Sequence, residues 1–243
     1  MRKTILITGA SRGIGRAVAL CLEDKNLNVV INYMKEDLMA DEVVEILRKK
    51  GLNAVKFKAD VGDFEQVKKM FNFIEDKFSH VDILINNAGI ADINFAQDIS
   101  VDNWKRIFDV NVHGMFYCTK LALKHMISNK NGVIINLASI WGQIGGSMES
   151  SYSASKGAVI AYTKAIAKEV GPSNIRVNAV APGGIKTDML SLIPNESIEA
   201  YAEEVPLGRI GEADEVANLI NFLISDKANY ISGQIIGING GLC

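Results

Sequence analysis

The sequence predicts an α/β protein built on one doubly wound parallel sheet of about seven strands, with helices on both faces. Two observations lead to this prediction. Short runs rich in Val and Ile recur along the chain, and longer stretches with helical periodicity separate them. Apolar runs without alternation are typical of strands buried on both faces, and strands that alternate with helices form right-handed βαβ units.

The predicted strands are short and rich in β-branched residues, as strands of a buried parallel sheet are. They span residues 4–9, 28–33, 54–61, 81–89, 132–139, 175–184 and 233–240. The predicted helices lie between them, at residues 15–26, 36–51, 64–79, 110–129, 157–171 and 212–229.

One stretch, residues 188–207, departs from this alternation. It is too polar, and too interrupted by proline, to form a core element, so we expect it to be a lid over a site. No repeat, low-complexity tract or linker marks a second domain, and residues 1–243 are predicted to form a single domain.

The composition narrows the class of protein. The chain of 243 residues has 26 Lys and Arg against 28 Asp and Glu, a net charge of −2, so no global field favours nucleic acid or an anionic membrane. It contains no apolar run of about 18 residues and no leader-like segment, so we expect a soluble cytoplasmic protein.

Residue types that bind metals are few and scattered, so no metal site or disulfide framework is predicted. They are Cys21, Cys118, Cys243, His80, His113 and His125, and the histidines stand far apart along the chain.

A glycine-rich segment, TGASRGIG, joins the first strand to the first helix. Gly9, Gly13 and Gly15 have the spacing GxxxGxG, which allows a tight turn and close approach of the backbone to a pyrophosphate. The helix then offers free N–H groups to phosphate oxygens. A glycine-rich turn can also be purely structural, but its position in the first βαβ unit favours dinucleotide binding.

The end of the second strand points to the type of dinucleotide. Asn32 and Tyr33 stand where enzymes that use NAD commonly carry a carboxylate for the ribose. Arg12 lies in the glycine loop and Lys35 follows the strand, so a 2′-phosphate is favoured and the predicted cofactor is NADP(H). Either cation could instead be an ordinary surface charge.

The third strand ends at Asp60 and Val61, which are candidate contacts of the adenine ring. Asp60 could equally be the cap of the helix that starts at Phe64.

Four segments, TGASRGIG at 8–15, NNAG at 86–89, Ser139 and YSASK at 152–156, together resemble the short-chain dehydrogenase/reductase family. The resemblance covers essentially the whole chain and implies a Rossmann-type fold. It also implies a catalytic set of Asn111, Ser139, Tyr152 and Lys156.

The chemistry of these four residues is consistent with carbonyl reduction. Hydride transfer to a ketone leaves negative charge on oxygen, which requires a proton donor and hydrogen bonds. Tyr152 would donate the proton, Ser139 a hydrogen bond, and the nearby Lys156 ammonium would lower the Tyr152 pKa. By resemblance, Lys156 also binds the nicotinamide ribose and Asn111 anchors water that resupplies the proton.

The remaining cofactor contacts are assigned by position. The full predicted set is Gly9, Ser11, Arg12, Gly13, Ile14, Gly15, Asn32, Tyr33, Asp60, Val61, Asn86, Asn87, Ala88, Gly89, Tyr152, Lys156, Pro182, Gly183, Ile185 and Thr187. Two of these assignments have an alternative. The NNAG segment also stabilises the sheet, and Thr187 could simply be the start of a helix instead of a cofactor contact. Trp141 is either a core residue or a contact of the substrate.

Within the family, segments such as SSYSASKGAVI and NAVAPGGIKTDM resemble a bacterial subgroup that reduces 3-oxoacyl thioesters, linked to acyl carrier protein or coenzyme A, to (R)-3-hydroxyacyl thioesters in fatty acid biosynthesis. The loop IADINFAQDIS differs from that subgroup, and residues 171–174 carry no charge to meet an acidic carrier. The alternatives are a reductase of a sugar, polyol, steroid or small ketone, and a non-catalytic nucleotide-binding protein. The resemblance also implies a homotetramer formed through residues 103–128, residues 153–170 and the C-terminal strand.

Overall fold

The computed structural model describes residues 2–188, 190 and 195–243. The strands in this part of the chain are β1 (Lys3–Ile7), β2 (Leu27–Tyr33), β3 (Asn53–Lys58), β4 (Ile83–Asn86), β5 (Gly132–Leu137), β6 (Ile175–Pro182), β7 (Ile185–Lys186), β8 (Gly211–Glu212) and β9 (Ile235–Ile238). Seven of them form one parallel sheet in the order β3-β2-β1-β4-β5-β6-β9, and β7 pairs with β8 in a separate two-stranded sheet.

The strand order reverses between β1 and β4, and this reversal positions the site. From β1 the chain moves outward through β2 and β3, then crosses back to place β4 on the other side of β1. Ile7, at the end of β1, pairs with Ile31 on one side and with Ile85 on the other. A crevice opens at the carboxyl ends of the strands where the order reverses, and ligands of such sheets bind there.

The helices of the described residues are α1 (Gly13–Leu20), α2 (Asp37–Lys49), α3 (Phe64–Phe78), α4 (Val101–Phe108), α5 (Gly114–Asn129), α6 (Trp141–Ile144), α7 (Ser150–Val170), α8 (Asn195–Glu204) and α9 (Ala213–Ile224). One core cluster packs α1, α2 and α9 against the sheet, and a second packs α3, α5 and α7 against the opposite face. The predicted doubly wound fold with helices on both faces is therefore confirmed.

Two predicted helices start well before the expected residue, and α6 and α8 were not predicted. The helix expected at 110–129 is the second half of a helical segment that starts at Val101 and passes through a π-helical turn at Asp109–His113. The helix expected at 157–171 begins at Ser150, because its first turns are polar and carry no apolar periodicity. This earlier start places Tyr152 inside the helix.

The predicted lid is described only in part, because residues 189 and 191–194 lie outside the described residues. The described part contains α8. The short strands β7 and β8 flank the segment predicted to form the lid, and Gly211 N donates a hydrogen bond of 2.9 Å to Gly184 O.

Two histidines that are distant in sequence, His80 and His125, stack with ring centres 5.7 Å apart. In the part of the chain that the structure describes, no group of three or more His, Cys, Asp or Glu residues could hold a metal ion. None of the described helices has the length and the apolar character that crossing a bilayer requires.

Candidate active site

The four predicted catalytic residues meet at the crevice. Asn111 lies in the π-helical turn before α5, Ser139 follows β5, and Tyr152 and Lys156 lie one turn apart on α7. A Cβ built on Gly89, in the loop after β4, would lie 3.3 Å from Asn111 Oδ1 and 3.4 Å from Lys156 Nζ. Elements that are distant in sequence thus place these groups around one point.

The pair on α7 has a defined geometry. Lys156 Nζ lies 5.6 Å from the centre of the Tyr152 ring, as expected for side chains four residues apart on a helix. Nζ donates a hydrogen bond of 2.6 Å to the carbonyl oxygen of Leu137, which is the last residue of β5. Lys156 is buried, and Leu137 O is the one hydrogen-bond acceptor that the described residues provide for it.

Burial dominates the ionisation of both groups. It raises the pKa of Tyr152 to about 12, while a hydrogen bond with Ser139 works in the opposite direction and the charge of Glu149 adds to the rise. Burial lowers the pKa of Lys156 to about 8. The Tyr152 pKa is therefore raised by loss of solvent around the phenol, and the expected lowering by Lys156 is not found in this structure.

Ser139 is the second hydroxyl of the site. It is buried directly after β5, and its Oγ accepts a hydrogen bond of 3.2 Å from Trp141 N. Because the backbone amide fills an acceptor position of Oγ, the hydroxyl proton is free to point at another oxygen. Ser139 and Tyr152 together can bind one carbonyl oxygen.

Asn111 is held by its neighbours rather than exposed to the crevice. Its Oδ1 accepts from Ile90 N and its Nδ2 donates to Ile90 O, both at 2.9 Å, and Nδ2 also donates to Ser155 Oγ at 3.0 Å. The π-helical turn inserts a residue into the helix and turns Asn111 towards this loop, a device common at functional sites. Asn111 thereby fixes the loop after β4 against α7.

The glycine loop has the backbone that its sequence requires. Gly9 and Gly13 have φ of 62° and 56°, in the left-handed region that favours glycine. A Cβ on Gly9 would lie 2.9 Å from Ala88 Cα, so this glycine also allows the loops after β1 and β4 to touch. No side chain caps α1 at Arg12, so the first N–H groups of the helix are left for a ligand.

Two predicted cofactor contacts use their side chains to hold this loop. Asn32 Oδ1 accepts from Gly9 N at 3.2 Å, and its Nδ2 donates to Ala59 O at 3.0 Å. Asn87 Nδ2 donates to Thr8 O and Gly9 O at 2.8 and 3.0 Å. The sequence analysis did not predict that these two side chains hold the loop. The available signal was that Asn residues at strand ends commonly form hydrogen bonds with backbone groups of nearby loops.

The residues after β2 and β3 form ion pairs beside the crevice. The Tyr33 hydroxyl hydrogen-bonds to Asp37, whose carboxylate also binds Lys56 Nζ at 2.8 Å. Arg106 Nη1 lies 2.8 Å from Asp60 Oδ2.

The helix cap near Asp60 is a different residue. Asp63 caps α3, because its Oδ1 accepts from Glu65 N and Gln66 N. The alternative reading of Asp60 as the cap is therefore wrong. Val61, next to Asp60, is buried and would touch a Cβ built on Gly114, at 2.8 Å from its Cγ2.

The segment after β6 returns to the glycine loop. Pro182 O accepts from Ile140 N at 2.9 Å, and Gly183 N donates to Ile238 O at 3.0 Å. Thr187 Cγ2 lies 3.6 Å from a Cβ built on Gly13, and Arg12 Nη1 lies 3.4 Å from Asp188 Oδ2. The structure thus brings together the start of the predicted lid and the glycine loop.

The wall of the crevice contains an aromatic pair. The Trp141 ring meets the ring of Tyr201, on α8, edge-on with centres 6.1 Å apart, and its indole N–H hydrogen-bonds to Glu149. The Tyr201 hydroxyl accepts from Gly184 N at 2.9 Å. Trp141 therefore lies between the predicted catalytic groups and the segment predicted to form a lid. Sequence reasoning missed Tyr201, because nothing in its neighbourhood marks it.

The donor set fits a dinucleotide. The open helix N-terminus and the left-handed glycines suit a pyrophosphate, and the small residue Gly89 leaves space beside Lys156 and Asn111 that a side chain would fill. A buried ammonium with a single protein acceptor also suits a ligand that supplies further oxygens.

Comparison with known proteins identifies the family. A family model described as enoyl-(acyl carrier protein) reductase matches residues 9–243. The 3-oxoacyl-[acyl-carrier-protein] reductase FabG of Staphylococcus aureus is 40% identical over 242 residues, which is 100% of this chain and 98% of the relative. The chain belongs to the short-chain dehydrogenase/reductase family.

Reductases of the same name from two other bacteria are also similar over almost the whole chain. The 3-oxoacyl-[acyl-carrier-protein] reductase of Synechocystis sp. is 41% identical over 238 residues, 98% of this chain and 95% of the relative. FabG of Aquifex aeolicus is 38% identical over 240 residues, 99% of this chain and 97% of the relative. As a member of the family, the chain uses a nicotinamide cofactor.

Proposed function

We propose that the protein reduces a 3-oxoacyl thioester, linked to acyl carrier protein or coenzyme A, to the (R)-3-hydroxyacyl thioester in fatty acid biosynthesis, with NADPH as reductant. The observation that carries the proposal is the full-length similarity to 3-oxoacyl-[acyl-carrier-protein] reductases in a chain that retains Ser139, Tyr152 and Lys156 in one crevice. The relatives indicate the substrate, and the geometry indicates carbonyl chemistry.

The proton comes from Tyr152. A bound nicotinamide supplies the hydride. A phenol with a pKa of about 12 is protonated at neutral pH, so Tyr152 enters the reaction with a proton to donate. Ser139 stabilises the same oxygen with a hydrogen bond, in a buried position where such bonds are stronger than in water.

Lys156 restores the proton and holds the cofactor. Its pKa of about 8 allows it to lose and regain a proton near neutral pH. One N–H of Lys156 donates to Leu137 O, which leaves its other donors for ribose hydroxyls and for the phenol. Asn111 keeps the loop after β4 in place beside this ammonium.

Two features support NADPH over NADH. Arg12, in the glycine loop, has a side chain that is 56% exposed and therefore accessible to a phosphate. Asp37, whose carboxylate hydrogen-bonds to the Tyr33 hydroxyl at the end of β2, is also bound by Lys56, so its charge is partly compensated. A free carboxylate at this position would repel a 2′-phosphate.

A second candidate function is reduction of an enoyl thioester, since the matching family model carries that description. In that reaction the product is a saturated acyl chain with no hydroxyl. The two functions are therefore distinguished by their products.

We also infer the assembly and the accessory parts of the site. Trp104, Phe116 and Ile127 are exposed apolar side chains on α4 and α5, which supports a homotetramer formed through the helices around 103–128 and 153–170 and through the C-terminal strand. Residues 188–207 form a lid, with Tyr201 as its contact to Trp141. The remaining predicted cofactor contacts stay part of this proposal.

The proposed function is tested by following NADPH oxidation with acetoacetyl-acyl carrier protein, acetoacetyl-CoA, crotonyl-CoA, simple ketones and sugars, with NADH in parallel. We expect reduction of the 3-oxo thioesters with NADPH. Activity confined to crotonyl-CoA would establish the enoyl reaction instead, and activity confined to ketones or sugars would contradict both thioester functions.

A further inference from the structure

Four large apolar side chains are exposed on the two segments that follow β4 and β5. Ile93 and Phe95, in the loop after β4, are 36% and 56% exposed. Ile144 and Met148, between Ser139 and α7, are 55% and 39% exposed. We call these four residues the apolar rim. Single exposed apolar side chains are ordinary, whereas a group of them beside a site commonly marks a binding surface.

A backbone hydrogen bond joins the two loops of the apolar rim. Asn94 N, between the two apolar residues of the first loop, donates to Met148 O at 2.8 Å. Met148 has φ of 61°, a left-handed conformation that is uncommon for a long side chain. The two loops thus form one continuous wall.

The polar groups of this wall are bound to one another. Asp92 accepts from Asn94 Nδ2 at 2.5 Å through Oδ1 and from Asn103 Nδ2 at 3.1 Å through Oδ2. These bonds turn the polar side chains inward and leave Ile93 and Phe95 towards solvent. The rim therefore offers apolar surface without competing hydrogen-bond partners.

The charge of the two segments favours a neutral occupant. Residues 86–100 and 137–152 contain Asp92, Asp98 and Glu149 but no Lys or Arg. A phosphate or an acidic protein surface would be repelled here, and a sugar would find few free polar groups. An alkyl chain is not repelled by carboxylates and needs no hydrogen-bond partners.

The apolar rim is also continuous with the catalytic groups. Ile144 follows Ser139 by five residues, and Met148 precedes Tyr152 by four. On the other loop, Ile90 exchanges two hydrogen bonds with Asn111. A thioester whose 3-oxo group lies at Ser139 and Tyr152 would extend its alkyl chain along this wall.

We propose that the apolar rim holds the alkyl chain of the substrate and makes the enzyme select long 3-oxoacyl chains over short ones. This inference rests on the proposed function. Burial of alkyl carbons against Ile93 and Phe95 strengthens binding with each added methylene, whereas a four-carbon substrate does not reach them.

The test compares 3-oxobutanoyl-CoA, 3-oxooctanoyl-CoA and 3-oxododecanoyl-CoA with the full-length protein at saturating NADPH. We expect kcat/KM to rise at least about tenfold from four to twelve carbons. The double variant Ile93→Ser with Phe95→Ser should lose this rise and keep its activity on the four-carbon substrate within about twofold. Leu38→Ser is the matched control, since Leu38 is 84% exposed on α2, and it should behave as the wild type.

A second measurement avoids turnover. Dodecanoyl-CoA has no 3-oxo group, and it should inhibit the wild type more strongly than butanoyl-CoA, with the difference lost in the double variant. If the wild type reduces 3-oxobutanoyl-CoA but its kcat/KM does not depend on chain length, the apolar rim does not bind the alkyl chain, and the proposed function is unaffected. An equal loss on all three substrates, or a changed oligomeric state in the double variant, would show that these residues serve folding or assembly. A protein that reduces none of the three would overturn both proposals.

Discussion

Lys156 Nζ lies 5.6 Å from the centre of the Tyr152 ring and donates its hydrogen bond to Leu137 O at 2.6 Å. The ammonium is thus anchored to the end of β5 beside the phenol. Burial lowers the pKa of Lys156 to about 8 and raises that of Tyr152 to about 12, so at neutral pH Tyr152 is a neutral phenol and Lys156 is mostly a buried cation. Such buried, shifted groups in a crevice are typical of catalytic sites.

The Tyr152 hydroxyl is the proposed proton donor, and its removal should cost most of the activity. Tyr152→Phe keeps the ring and its packing but removes the proton donor, so kcat should fall by roughly 10²- to 10⁴-fold. Ser139→Ala should cost roughly 10²- to 10³-fold, because a second hydrogen bond to the same oxygen is lost. Steady-state kinetics measure both, and the Kd for NADPH measured by fluorescence should change far less than kcat, because Lys156 and the glycine loop still bind the cofactor. Activity of Tyr152→Phe within threefold of wild type would exclude Tyr152 as the donor.

Lys156 is expected to reduce stability while it serves the reaction. Its folded-state pKa is depressed, so the unfolded chain binds the proton more tightly between pH 8 and the ordinary lysine value of about 10.5. Stability contributed by this group therefore rises with pH across that window.

The matching variant is Lys156→Met, which keeps the length of the side chain and removes the charge. It should be inactive, yet more stable than wild type by about 1–2 kcal/mol at pH 7, after the lost bond to Leu137 O is counted. Denaturant unfolding without cofactor at pH 7, 8.5 and 10 measures the difference, which should shrink as pH rises. A variant less stable than wild type at pH 7, or a gap that grows with pH, would contradict the depressed pKa.

Asn111 acts through the loop that it holds. Asn111→Asp keeps Oδ1 but turns the Nδ2 donor into an acceptor that faces Ile90 O, so thermal unfolding should show a loss of about 1–3 kcal/mol. Activity should fall with it, because the loop lies beside Lys156. Asn72→Asp, at an exposed position of α3, is the control and should change stability little. An Asn111→Asp protein with wild-type stability would show that the bonds to Ile90 do not hold the loop.

Arg12 is expected to select the cofactor. Arg12→Ala should raise the KM for NADPH by roughly 10- to 100-fold, because a charge-assisted hydrogen bond to phosphate is lost, and should leave the KM for NADH within about threefold. Initial rates with each cofactor measure this. Lys35→Ala should have a smaller effect. A parallel loss for both cofactors would mean that Arg12 holds the loop, through Asp188 for example, rather than the 2′-phosphate.

The sequence predicted the fold well, because parallel strands buried on both faces and helices between them leave a strong pattern. It located the four catalytic candidates through motif spacing. It did not predict that α7 starts at Ser150 or that Asn32 and Asn87 hold the glycine loop, because those features depend on contacts between distant segments. The direction of the Tyr152 pKa shift was missed for the same reason: a one-dimensional pattern shows a neighbouring charge but not the loss of solvent.

The measurement that tests the central claim most directly is product analysis with NADPH that carries deuterium at the transferable position. With acetoacetyl-acyl carrier protein, we expect one deuterium at C3 of a 3-hydroxybutanoyl thioester, in the R configuration, and formation of this product at least about 100-fold more slowly by the Tyr152→Phe variant. An absence of labelled hydroxyl product from wild type, or saturated butanoyl product from the enoyl thioester alone, would contradict the account.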